Sequence, residues 1–451
     1  MSDVLVSIGA GRARSSAIEA TLRRAILDGR LAPGTRLPSS RALAAELGCA
    51  RATVVGAYEQ LVAEGYLLAT VGAGTTVASV GTPVALDAPE PDIGVFTELL
   101  PGEPDPSSFP RRAWAASVRK VLQSSPDSLF KYGDRRGLTE LRVALAGYLA
   151  RSRSVVVDPG RVVIFGGFAS ALSTLAATFA ARGIARVAVE DPGLPPYVKV
   201  IGAGGVEIVP VPVDDDGICV DDLGDERAVL CTPAHQFPMG VVLSAMRRAR
   251  LIEWAREHDA WIVEDDYDGE FRYDRRPVGS MQGLDSERVV YGGTASKSLA
   301  PGLGIAWLVL PPSLLEPVLE TKRLRRDAVS TIEQAALAEL IASGRFDRHI
   351  RSQRLQYRRR RDSLLRLLAR RTDLLDVTGV SAGLHVTAFV RDRAEREVLD
   401  IALQRRIAMF GLGNHRIALP HRHGLVIGYS RSPAHAFPAA LDALEGVLDA
   451  C

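Results

Sequence analysis

Residues 294–307 read TASKSLAPGLGIAW, and they follow directly on the apolar run RVVYGGT, which ends at Thr294. Only five of the 55 basic residues in the chain are lysine, so the choice of lysine rather than arginine at position 297 is informative. An arginine keeps its proton near neutral pH, whereas a partly buried lysine can become a free amine and condense with an aldehyde. The alternative is a solvated lysine in a loop after a strand. The surrounding sequence distinguishes between the two.

Seven short runs rich in β-branched residues lie between residues 161 and 311, with helical stretches between them. They read RVVIFGG, RVAVED, VEIVPVPV, AVLCTP, AWIVEDDYD, RVVYGGT and IAWLVLP. Such alternation predicts an open α/β sheet with buried central strands. After about residue 325, an arginine-rich helical stretch and the strand candidates GLHVTAFV and GLVIGYS predict a smaller α+β lobe. We interpret the charge run of that helical stretch as a solvated helix face.

Three features of this predicted sheet bear on Lys297. In WIVEDDYD, Asp265 and Tyr267 are two positions apart, so on a strand they point to one face at the carboxyl end, where α/β sheets bind ligands. VIFGGFAS leads through Gly167 into a helix whose first N–H groups can hold a phosphate, and TPAHQFPMG is a rigid loop at the same edge. An aldehyde on Lys297, a pyridine nitrogen at Asp265, a phenolic oxygen at Tyr267 and a phosphate at Gly167 describe pyridoxal 5′-phosphate.

The first 78 residues have a different pattern. Apolar residues recur at helical spacing from Ile18 to Leu27, LPSSRALAAELG can form a short helix capped by Ser39 or Ser40, and a third helical stretch ends at Gly65. The run YLLATVGAGTTVAS then predicts two short strands around a glycine turn, which is a wing. Three helices followed by a wing predict a winged helix-turn-helix, with a protein-docking module as the alternative.

Composition restricts the class of protein. A chain of 451 residues with 47% hydrophobic content is too long for one small core, which predicts two or three domains. The formal net charge is only +2, so any DNA-binding charge must be local. The four cysteines lack CxxC spacing, which argues against a metal cluster or a disulfide framework. Because no signal peptide or membrane-length apolar run is present, we expect a soluble, cytoplasmic protein.

The run GTRLPSSRALAAELGCARATVVGAYEQLVAEGYL resembles the winged helix of GntR-type bacterial repressors, nearly end to end over residues 15–78. The resemblance implies that the partner is a double-stranded DNA operator. Position by position, it implies DNA contacts from Arg36, Ser40, Arg41, Arg51, Thr53 and Tyr58, and from Gly72, Gly74 and Thr75 at the wing tip. Gly56 departs from the family, in which a basic residue is frequent at this position of the recognition helix.

The chain from about residue 106 to 451 resembles the fold-type I aminotransferases, in which a glycine turn, an aspartate and a lysine follow in this order. The resemblance implies that Lys297 forms a Schiff base with pyridoxal 5′-phosphate. It also implies cofactor contacts from Asp265, Tyr267, Gly167, Phe168, Ala169 and Thr294, and from Tyr132 to the phosphate in the partner subunit.

A GntR-type winged helix fused to such a domain is similar to the MocR family of transcriptional regulators. In that family the aminotransferase fold senses a small-molecule effector, and the chains usually form head-to-tail homodimers. We therefore expect a winged helix-turn-helix domain at residues 1–78, a linker at 79–106 and a large α/β cofactor domain at 107–325. A smaller α+β lobe follows at 326–451. The resemblance also predicts a cis peptide between Phe237 and Pro238.

Several positions depart from the aminotransferase pattern. Gly304 replaces the arginine that grips the phosphate, and Leu194 stands where an aromatic stacks on the pyridine ring. Val426 occupies the strand position where an arginine receives the substrate carboxylate, and Phe237 stands where aminotransferases place an asparagine. Losing the phosphate arginine and the ring stacking would each weaken cofactor binding by about 1–3 kcal/mol. Arg431 is a nearby substitute for the missing carboxylate clamp, although an exposed arginine is the simpler interpretation.

These observations favour a regulator that senses a small amine or the cofactor itself. The enzyme alternative is a functional pyridoxal-phosphate-dependent aminotransferase, which needs the carboxylate clamp that position 426 lacks. A sensor that has largely lost its cofactor is a third possibility.

Overall fold

The computed structural model describes residues 15–70, 74–79, 97–274, 278–420 and 422–451. The chain divides into two compact units, residues 1–92 and 93–451. The predicted large domain and small lobe belong to the second unit. None of the described helices is long and apolar enough to cross a membrane.

The N-terminal unit consists of three helices and a two-stranded antiparallel wing, which are α1 (Ser15–Leu27), α2 (Ser40–Leu47), α3 (Arg51–Ala63), β1 (Leu67–Thr70) and β2 (Gly74–Val77). Ser39 is the N-cap of α2, because its hydroxyl accepts a hydrogen bond from the N–H of Ala42 at 3.2 Å. Gly48 ends α2 in the left-handed conformation, at φ 62°. Apolar side chains from all five elements form one core, among them Ile18, Leu22, Leu43, Leu61, Leu67 and Val77. The winged helix-turn-helix is confirmed.

The second unit is built on an eight-stranded sheet in the order β4, β11, β10, β9, β8, β5, β6, β7. These strands are β4 (Val162–Phe165), β5 (Arg186–Asp191), β6 (Glu207–Asp214), β7 (Gly217–Ile218), β8 (Ala228–Cys231), β9 (Trp261–Asp265), β10 (Val289–Thr294) and β11 (Ala306–Val309). The central strands β10, β9, β8, β5 and β6 are parallel to one another. All seven runs predicted as strands form this sheet, and β7 is added to them.

Helices cover both faces of the large sheet, namely α4 (Arg111–Ser124), α5 (Thr139–Arg153), α6 (Phe168–Ala181), α7 (Pro195–Gly202), α8 (Ala245–Glu257), α9 (Pro312–Arg325) and α10 (Thr331–Ala342). Successive side chains along a strand point to opposite faces of the sheet, so neighbouring residues enter different cores. Val163 and Phe165 pack with α6, α7 and α9, whereas Val162 and Ile164 pack with α5 and α10. The central strands are therefore buried on both faces, as the sequence predicted.

The smaller lobe has a four-stranded antiparallel sheet in the order β12, β13, β16, β15. Its elements are α11 (Arg345–Leu368), β12 (Leu375–Thr378), β13 (His385–Val390), α12 (Glu395–Gln404), β14 (Ile407–Ala408), β15 (Phe410–Gly411), β16 (Gly424–Gly428) and α13 (Phe437–Asp449). Both predicted strands are present as β13 and β16. Helix α11 buries Tyr357 and Leu364 and exposes Arg348, Arg351 and Arg358.

Short 3-10 helices and two cis prolines complete the second unit. The 3-10 helices span Pro106–Ser108, Asp127–Phe130, Pro159–Arg161, Val220–Asp222, Pro301–Leu303 and Leu412–His415. The peptide bonds Asp191–Pro192 and Phe237–Pro238 are cis, and the second of them was predicted.

A segment that we call the strap, residues 97–103, joins the small lobe to the edge of the large sheet. It begins as β3 (Thr97–Glu98), which pairs in parallel with β14. The carbonyl of Leu99 accepts from the N–H of Gly428 at 2.7 Å. Position 428 must be glycine, because a Cβ there would lie 2.1 Å from the carbonyl oxygen of Leu100. The strap is therefore fixed by main-chain hydrogen bonds.

Candidate functional site

A cavity of about 240 Å³ lies where the central parallel strands end. Parallel strands present their carboxyl ends at one edge of a sheet, so residues distant in sequence meet there. The strap forms one wall, and β5, β8 and β9 contribute the side chains at their ends. The cavity is lined by Pro101, Gly102, Glu103, Val189, Glu190, Gly193, Leu194, Tyr197, Val198, Leu230, Thr232, Phe237, Asp265, Tyr267, Lys297, Phe410 and His415.

Lys297 follows β10 directly and lines this cavity. Burial lowers the pKa of its ammonium below the ordinary value, and the nearby carboxyl groups of Asp265, Glu103 and Asp268 oppose that shift. The strap passes close by, because a Cβ built on Gly102 would lie 3.8 Å from the Nζ atom. The environment therefore increases the free amine fraction that an aldehyde needs.

Asp265 is the last residue of β9 and is 6% exposed. Its Oδ1 atom is buried and has no hydrogen-bond partner among the described residues. Burial raises the pKa of this carboxyl well above its usual range, and Lys297 opposes the shift. An unpartnered buried carboxylate is costly, so a protonated ring nitrogen is the kind of group that fits it. This part of the site fits pyridoxal 5′-phosphate.

Tyr267 lines the same cavity and belongs to a buried polar cluster. Its hydroxyl lies 3.0 Å from Nδ1 of His235, and that nitrogen is 2.8 Å from Oδ2 of Asp268. Burial raises the pKa of Tyr267 well above its usual value, and Asp268 adds to the shift. The phenol is therefore neutral and can donate a hydrogen bond.

The predicted phosphate ligands lie around the start of α6, outside the set that lines the cavity. Gly167 precedes the helix with φ 101°, a conformation that glycine adopts without strain, and Phe168 and Ala169 form its first turn. The first N–H groups of a helix have no partner within it, which suits an anion. The hydroxyl of Thr294 donates to Ser296 Oγ at 2.9 Å. Gly304 has φ 58° and has open space where a side chain would project.

Tyr132 is fully exposed and does not line the cavity. It lies instead at a separate depression of about 550 Å³ beside Asp134, Arg135 and Lys322. The resemblance assigned this tyrosine to the partner subunit's phosphate, and its exposed position leaves that prediction open.

Sequence reasoning missed several lining residues. Glu190 at the end of β5 is buried, accepts hydrogen bonds from Thr232 and Gln236, and has its pKa raised by burial to about 7. Its position in EDPG, after an apolar strand, was the available signal. Nothing in the local sequence identified Glu103 or His415, which reach the cavity from outside the large sheet.

Val426 does not lie where the resemblance places the carboxylate clamp. It is fully buried in a small apolar cluster with Met239, Val241, Phe389 and Leu412, and it does not line the cavity. An arginine at position 426 would therefore have to displace this cluster before it could receive a substrate carboxylate.

Arg431, the possible substitute clamp, is engaged elsewhere. Its Nε atom lies 2.6 Å from Oε2 of Glu98, and its Nη2 atom lies 3.5 Å from Oε2 of Glu103. It is therefore an arginine paired with the strap, rather than a solvated or cavity-lining one.

The winged helix exposes four of its nine predicted DNA contacts, namely Arg36, Arg41, Arg51 and Gly74. Arg36, Arg41 and Arg51 are exposed, and Nε of Arg51 lies 3.4 Å from the hydroxyl of Ser40. Arg41 and Arg51 lie at the starts of α2 and α3, where helix N-termini favour phosphate. Arg36 pairs with the wing at Thr76, beside Gly74.

Three further predicted contacts, Ser40, Thr53 and Thr75, are half-buried, and Gly72 lies outside the described residues.

Tyr58 does not join the exposed set. It is 7% exposed, and its hydroxyl donates to the carbonyl of Pro38 at 3.0 Å. Burial raises its pKa to about 12. A hydroxyl that already donates its proton cannot also donate to a phosphate, so Tyr58 supports the packing of α3 instead.

The two compact units match two different families. Residues 14–77 match the bacterial regulatory proteins of the gntR family, and residues 102–420 match the aminotransferase class I and II family. The protein therefore combines a helix-turn-helix DNA-binding domain with a fold-type I aminotransferase domain. Aminotransferases of this fold use pyridoxal phosphate.

Relatives with both parts are similar over nearly the whole chain. The probable rhizopine catabolism regulatory protein MocR of Rhizobium meliloti is 34% identical over 436 residues, which cover 91% of this chain and 88% of its own. The pyridoxine biosynthesis transcriptional regulator PdxR of Corynebacterium glutamicum is 33% identical over 417 residues, 90% of each chain. The chain belongs to the MocR/PdxR-type helix-turn-helix transcriptional regulators.

Solved enzymes share the fold of the second unit. The multiple substrate aminotransferase of Thermococcus profundus superposes with a TM-score of 0.71 and 25% identity, over 79% of this chain and 92% of its own. A kynurenine aminotransferase of Pyrococcus horikoshii gives a TM-score of 0.70 at 24% identity, over 78% and 90%. These similarities establish the aminotransferase fold.

Proposed function

We propose that this regulator holds pyridoxal 5′-phosphate through Lys297 and changes its DNA binding in response to a small amine or to the cofactor itself. The observation that carries the proposal is one cavity lined by a partly buried amine, Lys297, and by a buried carboxyl with an unpartnered oxygen, Asp265. Such a pair is what a protonated pyridine ring with an aldehyde requires.

Each residue of the site contacts a different part of the cofactor. Lys297 supplies the amine, and Asp265 holds a proton on the ring nitrogen. Tyr267, oriented by His235 and Asp268, donates to the ring oxygen. The first N–H groups of α6 hold the phosphate. The hydroxyl of Thr294 joins them only by giving up the hydrogen bond that it donates to Ser296. When bound, the cofactor supplies an electrophilic carbon that reacts reversibly with amines.

The alternative function is a pyridoxal-phosphate-dependent aminotransferase. Such an enzyme must bind the carboxylate of an amino acid with a charged or multiply hydrogen-bonding group. Val426 is buried in an apolar cluster and Arg431 is paired with Glu98 and Glu103, so neither supports that recognition. These contacts favour the regulator.

We further propose that the chain works as a head-to-tail homodimer on a repeated operator in the cytoplasm. The exposure of Tyr132, beside Phe130 at 58% exposure, supports a partner surface there. A dimer presents two winged helices, which suits two half-sites on DNA. Sedimentation of the full chain would test the oligomeric state.

The function is tested with the full chain, added cofactor and a labelled DNA fragment. We expect a visible absorbance band from the bound cofactor and DNA binding that falls steeply with salt, because phosphate contacts release counterions. The variant Arg41→Ala/Arg51→Ala should lose DNA binding at least about tenfold and keep the cofactor spectrum.

The matched control is Arg348→Ala/Arg351→Ala, on the exposed face of α11 in the second unit. DNA binding that is unchanged in the Arg41/Arg51 variant would mean that the winged helix docks a protein. Active turnover of an amino acid and a keto acid, with product formed at each cycle, would favour the enzyme instead.

A further inference from the structure

His415 is a buried polar side chain outside the set that we assign to the cofactor. It closes the 3-10 helix Leu412–His415, lines the cavity and is 4% exposed. Neither ring nitrogen makes a hydrogen bond of normal geometry with any described residue, although the main chain of Gly193 interacts with the ring. At least one nitrogen of this buried ring therefore lacks a partner, which is costly unless a ligand completes it.

The ring of His415 is held rigidly by aromatic neighbours. The ring of Phe237 meets it edge-on, with centroids 4.9 Å apart and planes at 89°. The ring of Phe410 does the same at 5.7 Å and 80°. Because both neighbours are apolar and line the cavity, they fix the direction of the imidazole without satisfying its nitrogens.

The imidazole is uncharged at neutral pH. Burial lowers the pKa of His415 to about 4, and the main chain of Gly193 opposes only part of that shift. A neutral imidazole offers one donor and one acceptor. A hydroxyl or a primary amide can either donate or accept, so it can pair with whichever ring nitrogen faces the ligand.

The charges of the cavity disfavour a carboxylate ligand. Its acidic lining residues are Glu103, Glu190 and Asp265, and Lys297 is the basic residue among those that line it. The nearby Arg431 is already paired with Glu98 and Glu103. A ligand carboxylate would bring a negative charge into this partly buried space, and the basic residue among those that line it, Lys297, is taken by the cofactor.

We propose that His415 is the specificity-determining residue of the effector site and that it recognises an uncharged hydrogen-bonding group on a small primary amine that lacks a carboxylate. Amino alcohols and amino amides are the ligand class. The inference rests on the proposed function, because the amine end of the ligand reacts at the cofactor on Lys297.

Four ligands with one carbon frame test this inference on the cofactor-loaded full chain. They are isopropylamine, 2-aminopropan-1-ol, alaninamide and alanine, which carry a methyl, a hydroxymethyl, a carboxamide or a carboxylate on the same carbon. We expect the alcohol and the amide to produce the spectral change at concentrations about tenfold lower than isopropylamine or alanine, the effect of one hydrogen bond.

Variants test whether His415 causes the preference for the alcohol and the amide. His415→Leu should bring the alcohol to within about twofold of isopropylamine, and His415→Asn, which keeps a donor and an acceptor, should restore part of the difference. His435→Leu, an exposed histidine of the same lobe, is the matched control and should retain the full preference.

The inference is overturned if alanine acts at concentrations as low as the alcohol, or if His415→Leu keeps the preference. If a variant fails to fold, the ligand series on the natural protein still tests the inference. A chain that takes up no cofactor contradicts the proposed function instead. In that case, calorimetry measures the affinities of the same four ligands for the cofactor-free protein. Tighter binding of the alcohol and the amide would support the role of His415, and equal or tighter binding of alanine would contradict it.

Discussion

Two groups of residues in the cavity lining differ in kind. The charged end, as we call it, contains Lys297, Asp265 with an oxygen that lacks a hydrogen-bond partner among the described residues, and Tyr267 in a buried polar cluster. The aromatic end contains His415, whose ring contacts Phe237 and Phe410, and the two groups meet where Phe237 contacts Tyr267. The side chains suited to holding a cofactor therefore differ from those suited to choosing a ligand. The aromatic end offers no charge to a carboxylate.

The largest effect is expected from Lys297→Ala, which removes the amine at the charged end. The visible band of the bound cofactor should disappear completely while far-ultraviolet circular dichroism stays unchanged. Lys199→Ala, at an exposed position, should keep the band. If the band survives in Lys297→Ala, another lysine carries the cofactor and the charged end has been wrongly located.

A charge at Val426, which pairs with Phe410 of the aromatic end but does not line the cavity, tests whether that end can receive a carboxylate. Val426→Arg should lower the free energy of unfolding by several kcal/mol, because Val426 is fully buried among apolar side chains. Val377→Arg, on an exposed strand position, should change it little. A stable Val426→Arg protein that reacts readily with alanine would show that the aromatic end accepts a carboxylate clamp, and the two ends would then not differ in this respect.

A smaller effect is expected from Asp265→Asn, which keeps the shape of the charged end. A hydrogen bond to a charged group contributes about 1.5–3 kcal/mol, so cofactor affinity should fall by about 10- to 100-fold. Spectral titration measures it, with Asp225→Asn on the surface as control. Unchanged affinity would mean that the ring nitrogen does not lie at Asp265.

The mildest effect concerns pH. The aldehyde reacts with the neutral amine, and burial lowers the pKa of Lys297 below the ordinary 10.5. The rate of cofactor uptake should therefore rise with pH and level off at a lower pH than it does for a free lysine. Stopped-flow absorbance measures this profile. A plateau at or above pH 10.5 would mean that the lysine is solvated.

Much of the fold was predictable because its signals are local. The central strands are buried on both faces, so their apolar runs stand out in the sequence, and helix caps such as Ser39 and Gly48 have characteristic residue types. Lys297 and Asp265 were identified because each directly follows or ends such a strand, where parallel sheets bind ligands.

Glu103 and His415 could not be predicted from local patterns. Glu103 precedes the large sheet and His415 follows it by about a hundred residues, so only tertiary packing brings them together. Tyr58 shows a different limit. Its helical spacing with Val54 and Leu61 indicated a core position, whereas the family resemblance assigned it to a DNA contact. In the structure, the side chain of Tyr58 lies in the core.

The strap gives the cavity a mechanical connection to the rest of the chain. Gly102 and Glu103 form a wall of the cavity, while Thr97 and Glu98, just before them, are paired with β14. In the sequence, Thr97 comes five residues after the end of the N-terminal unit at residue 92. The wall of the cavity formed by Gly102 and Glu103 is therefore separated from that unit by about ten residues of covalent backbone.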